Sequence, residues 1–232
     1  MEHKSGCLIC GKEIVYLHSS EKGKCVYCNN EFDVNERCEE GHYICNKCHG
    51  SGAMDIIEEY CLKTSSVDPI EIANIIMSHP SVKMHGNEHH FLLPAVMLTV
   101  YYNLTNNTEA LVLQLKKAKK RSEMVPGGFC GTHGNCGAGV GSGIFISLIT
   151  EATPLSKNEW QLSNLATAKS LYSIAMHGGP RCCKRDVYLS IIETSKLLDE
   201  QFNISIPLNN TISCNFSSYN KECLYKNCIF YK

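Results

Sequence analysis

Three things are missing from this chain, and each absence narrows what it can be. Charge of one sign is missing: 22 Lys and Arg against 23 Asp and Glu leave a net charge of −1, so the total offers no field that would draw a nucleic acid. Long apolar runs are missing: the nearest, FLLPAVMLTVYY at 91–102, falls short of the roughly 18 residues of a membrane helix and contains a proline. A secretory leader is not expected: MEHKSGCLICGK has neither an apolar segment nor a small-residue cleavage site. These absences lead us to expect a cytoplasmic protein with no membrane contact, and they weigh against a nucleic-acid partner. No internal repeat is visible either. What remains is an ordinary globular composition, 44% hydrophobic over 232 residues, enough for one good core and a small metal-stapled module.

Cysteine is the outlier, with 15 copies. In a reducing compartment close cysteine pairs mean metal ligation or thiol chemistry rather than disulfides, and an odd count argues against complete pairing. CLICGK and CVYCNN are two C-x-x-C knuckles, Cys7/Cys10 and Cys25/Cys28, and CEEGHYICNKCH adds Cys38, His42, Cys45 and Cys48. A tetrahedral site needs four soft ligands, and a knuckle supplies two from one tight turn. Eight ligands predict two Zn²⁺, paired in sequence order or cross-braced; spacing leaves both open, and rubredoxin-like iron is the alternative metal. Residues 1–52 have few aliphatic side chains, so the metal is expected to fold them, as a structural unit or as a docking platform for a partner, protein or, less expected, nucleic acid.

From residue 53 the texture becomes helical. MDIIEEYCLKT and DPIEIANIIMSH read as short amphipathic helices, the second opened by Asp68 as N-cap and Pro69 at the first helical position. EHHFLLPAVMLTVYYNL is apolar nearly throughout and predicts a central buried helix with a kink near Pro94. Further helices are expected over 107–122, from the glycine run at 137, over 158–177 and over 180–202, before an irregular tail. The fold class is therefore mainly α: six to seven helices over 53–232 behind a small zinc-ribbon or treble-clef-like module, with the boundary in HGSGA at 49–53. Cys61, among Ile56, Ile57 and Tyr60, reads as core, and the basic run KKAKKR at 116–121 as a solvated helix end.

GGFCGTHGNCGAGVGSGIF, residues 127–145, gathers eight of the 17 glycines. A dinucleotide loop needs G-x-G-x-x-G between a strand and a helix; here the register is G-x-G-x-G-x-G and no strand precedes it. No lysine stands in P-loop register. The glycines four apart, Gly137 with Gly141 and Gly139 with Gly143, would clear one helix face for another helix or a ligand, and Gly137, Gly139 and Gly141 are candidate cofactor contacts. Packing leaves Cys130, His133 and Cys136 unexplained. Spaced three apart in a glycine-rich loop, they can wrap one centre, at a helix N-terminus that favours a thiolate.

Other constellations point the same way. MHGNEHH places His85, Glu88, His89 and His90 at the mouth of the most apolar helix, costly unless they bind something or one another. The H-x-x-E-H pattern of a metalloprotease is present in it, but with glycine and asparagine inside. His85, Glu88, His89 and His133 are candidates for proton transfer. HGGPRCCKRD starts a helix with Arg181, Cys182, Cys183, Lys184 and Arg185; cations there oppose the dipole and imply an anionic neighbour, so Arg181 and Arg185 are candidates for holding an anionic substrate. In the tail, Cys214, Cys223 and Cys228 suggest a metal clamp shared with Cys182 or Cys183.

CEEGHYICNKCH, MHGNEHHFLLPAVML, GGFCGTHGNCGAGVGSGIF, HGGPRCCKRD and NKECLYKNC together resemble a domain-of-unknown-function family of cysteine-rich proteins from anaerobic bacteria and methanogenic archaea. The resemblance implies an oxygen-free setting in which an Fe–S cluster survives, and nothing about substrate. The leading expectation is a metal-dependent enzyme, with Cys130, Cys136, Cys182, Cys183, Cys214, Cys223 and Cys228 offering ligands for a second metal or an Fe–S cluster. Its chemistry would be sulfur transfer, desulfuration or another redox step on a small anionic substrate. The alternatives are a zinc-dependent accessory protein without catalysis and a methyl-transfer role using S-adenosylmethionine.

Overall fold

The computed structural model describes residues 7, 9–45, 48, 52–208 and 211–232. Residues 49–51 of the expected boundary lie outside the described residues. The chain begins with an antiparallel hairpin, β1 (Ile14–Lys24) and β2 (Glu31–Cys38), interrupted between Tyr16 and Glu21. Among the described residues eight helices follow: α1 (Ala53–Lys63), α2 (Pro69–Met77), α3 (Glu88–Leu104), α4 (Thr108–Glu123), α5 (Phe129–Thr132), α6 (Gly137–Ile149), α7 (Asn158–Met176) and α8 (Cys183–Phe202). The mainly α expectation with a small ribbon in front holds. The added helix is α5, a single turn too short for any periodic signal.

Local chemistry sets these boundaries. Asp68 accepts hydrogen bonds from the amides of Ile70 and Glu71, and Pro69 occupies the first turn of α2, where its missing N–H is no loss. α8 ends at Asn203 with φ 52°, a left-handed residue that stops the helix.

α3 is the centre of the molecule. From Phe91 to Val100 its residues are buried all round, and α1, α2, α4, α6 and α8 pack against it. Pro94 within it has no N–H to offer the carbonyl of His90. The Ser122 hydroxyl of α4 donates to that carbonyl instead, at 3.1 Å, so the proline's missing donor is replaced from a neighbouring helix. α6 uses the same notch: a Cβ at Gly141 would stand 2.9 Å from Pro94 Cδ and 3.2 Å from the His90 carbonyl oxygen.

The N-terminal module shares the core. Tyr27 is fully buried, donates from its hydroxyl to the Ile75 carbonyl at 3.1 Å, and meets the rings of Tyr60 and His79 edge-on. Cys25, Cys28, Cys45 and Cys48 belong to the same hydrophobic cluster as the helices. No helix among the described residues is long and apolar enough to cross a membrane.

Candidate metal centres and a candidate active site

The hairpin decides how the N-terminal ligands pair. Cys7 and Cys10 lead into β1, whose first residue, Ile14, pairs with Cys38 at the end of β2; that register sets the first knuckle beside Cys38 and His42. The connection between the strands carries Cys25 and Cys28, and the bridge from Cys25 to Tyr43 brings Cys45 back to them. The two sets are therefore Cys7, Cys10, Cys38 and His42, and Cys25, Cys28, Cys45 and Cys48, with all ligand atoms of a set within 4.8 Å of one another. The sets are cross-braced rather than paired in sequence order: the first has three cysteines and the histidine, the second four cysteines.

The distances fit a tetrahedral ion. Zn–S bonds of about 2.3 Å place neighbouring sulfurs about 3.8 Å apart; Cys10 Sγ and Cys38 Sγ stand 3.6 Å apart, and Cys28 Sγ and Cys45 Sγ 3.9 Å. Backbone amides also face the sulfurs, from Glu40 to Cys38 and from Cys45 to Cys25. Burial raises the Cys48 thiol far above its ordinary range, with Cys45, Cys25 and Cys28 adding to it; four thiolates so close need a cation between them. Both sets can hold a metal ion. The second lies in the core, while the first includes the exposed Cys10.

Beyond the module, the expected groups divide. The N-terminal end of α8 brings several together. Cys136, the residue before α6, donates from Sγ to Asp186 Oδ2 at 3.6 Å. The amide of Gly86 faces Cys183, joining the His85 loop to the α8 start. The tail crosses the same end: Cys182, Cys214, Cys223 and Cys228 line one cavity with Arg185 and Met84. At its rim His85 Nε2 lies 3.2 Å from Asn220 Oδ1 and 3.4 Å from a Glu222 carboxylate oxygen. Asn220 Oδ1 also accepts from the Glu222 amide, which identifies it as the oxygen and makes His85 Nε2 the protonated nitrogen. His85 Nδ1 is then a buried lone pair without a partner.

Other expected roles change. His89 is 1% exposed, with Nδ1 on the Gly86 carbonyl and Nε2 unpartnered; burial, helped by nearby Lys184, lowers its pKa to about 3, so it stays neutral and is a poor proton shuttle near pH 7. Glu88 accepts from the Lys83 amide at 2.8 Å. His133 is exposed and stacked on Phe129. Among the described residues only the two N-terminal sets gather three or more ligand atoms within 4.8 Å, so Cys130, His133 and Cys136 do not wrap one centre: α5 and its stacked pair hold the loop open. His85, Glu88 and His89 form no protease-type triad.

The thiols follow burial rather than the helix dipole. Cys136 receives amides from Ala138 and Gly139, yet burial and the carboxylate of Asp186 push it up to about 12; burial takes Cys183 to about 11. Neither is a thiolate at neutral pH unless a metal ion replaces its proton. Arg185 is 4% exposed and donates to the carbonyls of Gly178 and Pro180 and to Asp186; its anionic neighbour is built into the protein. Arg181 remains exposed. The glycines expected at a cofactor serve helix packing: a Cβ at Gly137 would stand 1.9 Å from the His90 ring, at Gly139 2.7 Å from Leu171, and at Gly141 against Pro94.

Two participants were not in the expected site. Lys184 is 2% exposed, donates to the Met77 and Val82 carbonyls and lies 4.4 Å from the Phe216 ring centre, while burial lowers its pKa to about 8. Asp186 lies one helical turn along α8 from Cys182. The R-C-C-K-R-D string carried both; what it lacked was any sign that the cations face inward.

No curated protein and no solved structure matches the chain. One family model does, over residues 57–231, which takes in the helices and the tail and leaves the paired metal module outside it. The chain belongs to this family, DUF5714, a family of unknown function.

Proposed function

We propose that the protein is a metal-dependent enzyme that works at the N-terminal end of α8, by sulfur transfer, desulfuration or another redox step on a small anionic substrate. The observation that carries this reading is the cavity itself: four cysteines line it, and His85 stands at its rim with one nitrogen fixed by Asn220 and the other a buried, unpaired base. A histidine held in one tautomer by its far nitrogen is poised to accept a proton or bind a metal. Arg181, exposed at the helix start, supplies positive charge for an anion. Zinc in the two cross-braced sets folds the N-terminal module, and the matched family segment begins after it, which supports placing the chemistry in the helices and tail.

A desulfuration balances here without an outside oxidant as an elimination. His85 takes a proton from carbon, that C–H pair becomes a double bond, and the C–S pair leaves with sulfur as hydrosulfide. The test is sulfide release from a panel of small mercapto- and thio-carboxylates by anaerobically purified protein, with metal content measured on the same samples. Turnover that falls at least 100-fold in His85→Gln, with metal retained, is the expected outcome. Absence of turnover on every compound, with full metal, turns the reading to the accessory protein.

A further inference from the structure

We propose that Cys182, Cys214, Cys223 and Cys228 are the four ligands of an iron–sulfur cubane seated between the start of α8 and the C-terminal tail. The inference rests on the preceding reading that this cavity holds a metal, and adds which kind and through which residues.

Spacing separates this quartet from the other two. In the N-terminal sets the sulfurs stand 3.6 and 3.9 Å apart, the edge of a tetrahedron around one ion. The four cavity cysteines face a common space, yet no three of their sulfurs lie within 4.8 Å of one another. One ion is too small to reach them all. In a cubane each thiolate binds a different iron, and the sulfurs stand about 6 Å apart.

The protein groups around the quartet suit such a cluster. The Phe216 amide donates to Cys214 Sγ at 3.4 Å and the Tyr225 amide to Cys223 Sγ at 3.3 Å, and the Arg185 amide faces Cys182. Amide-to-sulfur bonds of this kind stabilise the reduced charge of Fe–S clusters. A cubane with four thiolates is anionic, and two buried cations flank it: Arg185 lines the cavity, and Lys184 lies over the ring of Phe216, two residues from Cys214. Tyr188, Phe216 and Phe230 supply apolar wall.

The tail needs such a clamp. From residue 211 its regular structure is two short 3₁₀ turns, Ser217–Tyr219 and Tyr225–Asn227, with local turn bonds and a longer-range backbone pairing from Cys214 to Phe230. Three of its residues are nonetheless buried, Phe216, Asn220 and Phe230. A cluster joining three tail thiolates to Cys182 would fix all of them to α8. It is coordinatively saturated, so the substrate would lie beside it rather than on an iron.

The test uses the full chain, purified anaerobically, or apoprotein supplied with equal amounts of ferrous and ferric iron and with sulfide. Iron, zinc and acid-labile sulfide are counted per chain, and the visible spectrum is recorded. About four irons and four sulfides beside two zincs are expected, with a broad visible charge-transfer band. Cys214→Ser, Cys223→Ser and Cys228→Ser should each lose most of the iron and keep the zinc, whereas Cys130→Ser should keep both. A third zinc in place of iron overturns the cluster and leaves the metal-dependent reading standing. Two zincs alone, in native and reconstituted wild-type protein, overturn both. The wild-type count decides the matter even where a variant fails to fold.

Discussion

Replacing Gly143 by alanine should destabilise the protein, although alanine is the better helix former. A Cβ at Gly143 would stand 2.1 Å from Thr167 Oγ1 and 2.9 Å from the Ser163 carbonyl oxygen. The hydroxyl can rotate away, but the carbonyl belongs to the backbone of α7. Restoring a 3.4 Å contact requires α6 and α7 to separate by about 0.5 Å, within a core that tolerates little expansion. Overpacking of this sort costs roughly 1–3 kcal/mol, against about 1 kcal/mol gained by replacing a helical glycine. Gly139 is the internal control. Its Cβ would meet Leu171 Cδ2 at 2.7 Å, the tip of a half-buried side chain that can turn, so Gly139→Ala should be near neutral. We expect Gly143→Ala to lie below Gly139→Ala by about 1 kcal/mol, the middle of that balance, or roughly 2–4 °C in Tm for a chain of this size. Thermal melts of the two variants, followed by circular dichroism with metal content held constant, measure the difference. Equal melting temperatures, or the reverse order, would refute the packing account of the glycine run.

Acid should expose the cost of keeping His89 neutral. An unfolded histidine titrates near 6.5, the folded one near 3, so stability is full above pH 6.5 and is lost as pH falls toward 3. At pH 5 the loss is about 2 kcal/mol, and denaturant midpoints of His89→Gln should lack that share of the pH 7 to pH 5 decline. Cys48→Ser and Cys10→Ser should each lose one metal ion per chain. The first, at the core site, should lower Tm by about 10 °C or more and the second, at the exposed site, by only about 2 °C; equal shifts in a metal-replete melt would contradict the burial difference. Asp68→Ala removes the acceptor for two α2 amides and should cost about 1 kcal/mol, read as a Tm drop of roughly 2–4 °C.

Much of this was legible in the sequence, for physical reasons that can be named. Asp68 and Pro69 announce α2 because capping is a local event, and the run from Phe91 to Val100 announces a central helix because it has no polar face to show to water. The eight N-terminal ligands were legible from knuckle spacing; their pairing was not, since it follows from the register that sets Ile14 opposite Cys38. The site was read less completely. Proximity of the His85 loop, Cys136 and the α8 start was expected and is present, whereas the inward turn of Lys184 depends on the distant carbonyls of Met77 and Val82, and that of Arg185 on how the Gly178–Pro180 turn folds back before α8. Cys130 and His133 share their spacing with Cys136, but Cys130 sits in a one-turn helix and His133 ends it, so the three do not converge, and three-residue periodicity carries no information about that.

The position of Tyr27 has a consequence for how the protein matures. Its hydroxyl closes on the Ile75 carbonyl, and the ring beside it, His79, also reaches the Cys48 carbonyl. The face that α1 and α2 turn toward the hairpin is thus finished only when the second metal set has closed. Chains lacking that metal would carry complete helices with an open seam along α1 and α2, and the seam runs on toward α8, since Met77, two residues before His79, accepts from Lys184. Occupancy of that one amino-terminal set would then decide whether the seam along α1 and α2 closes at all.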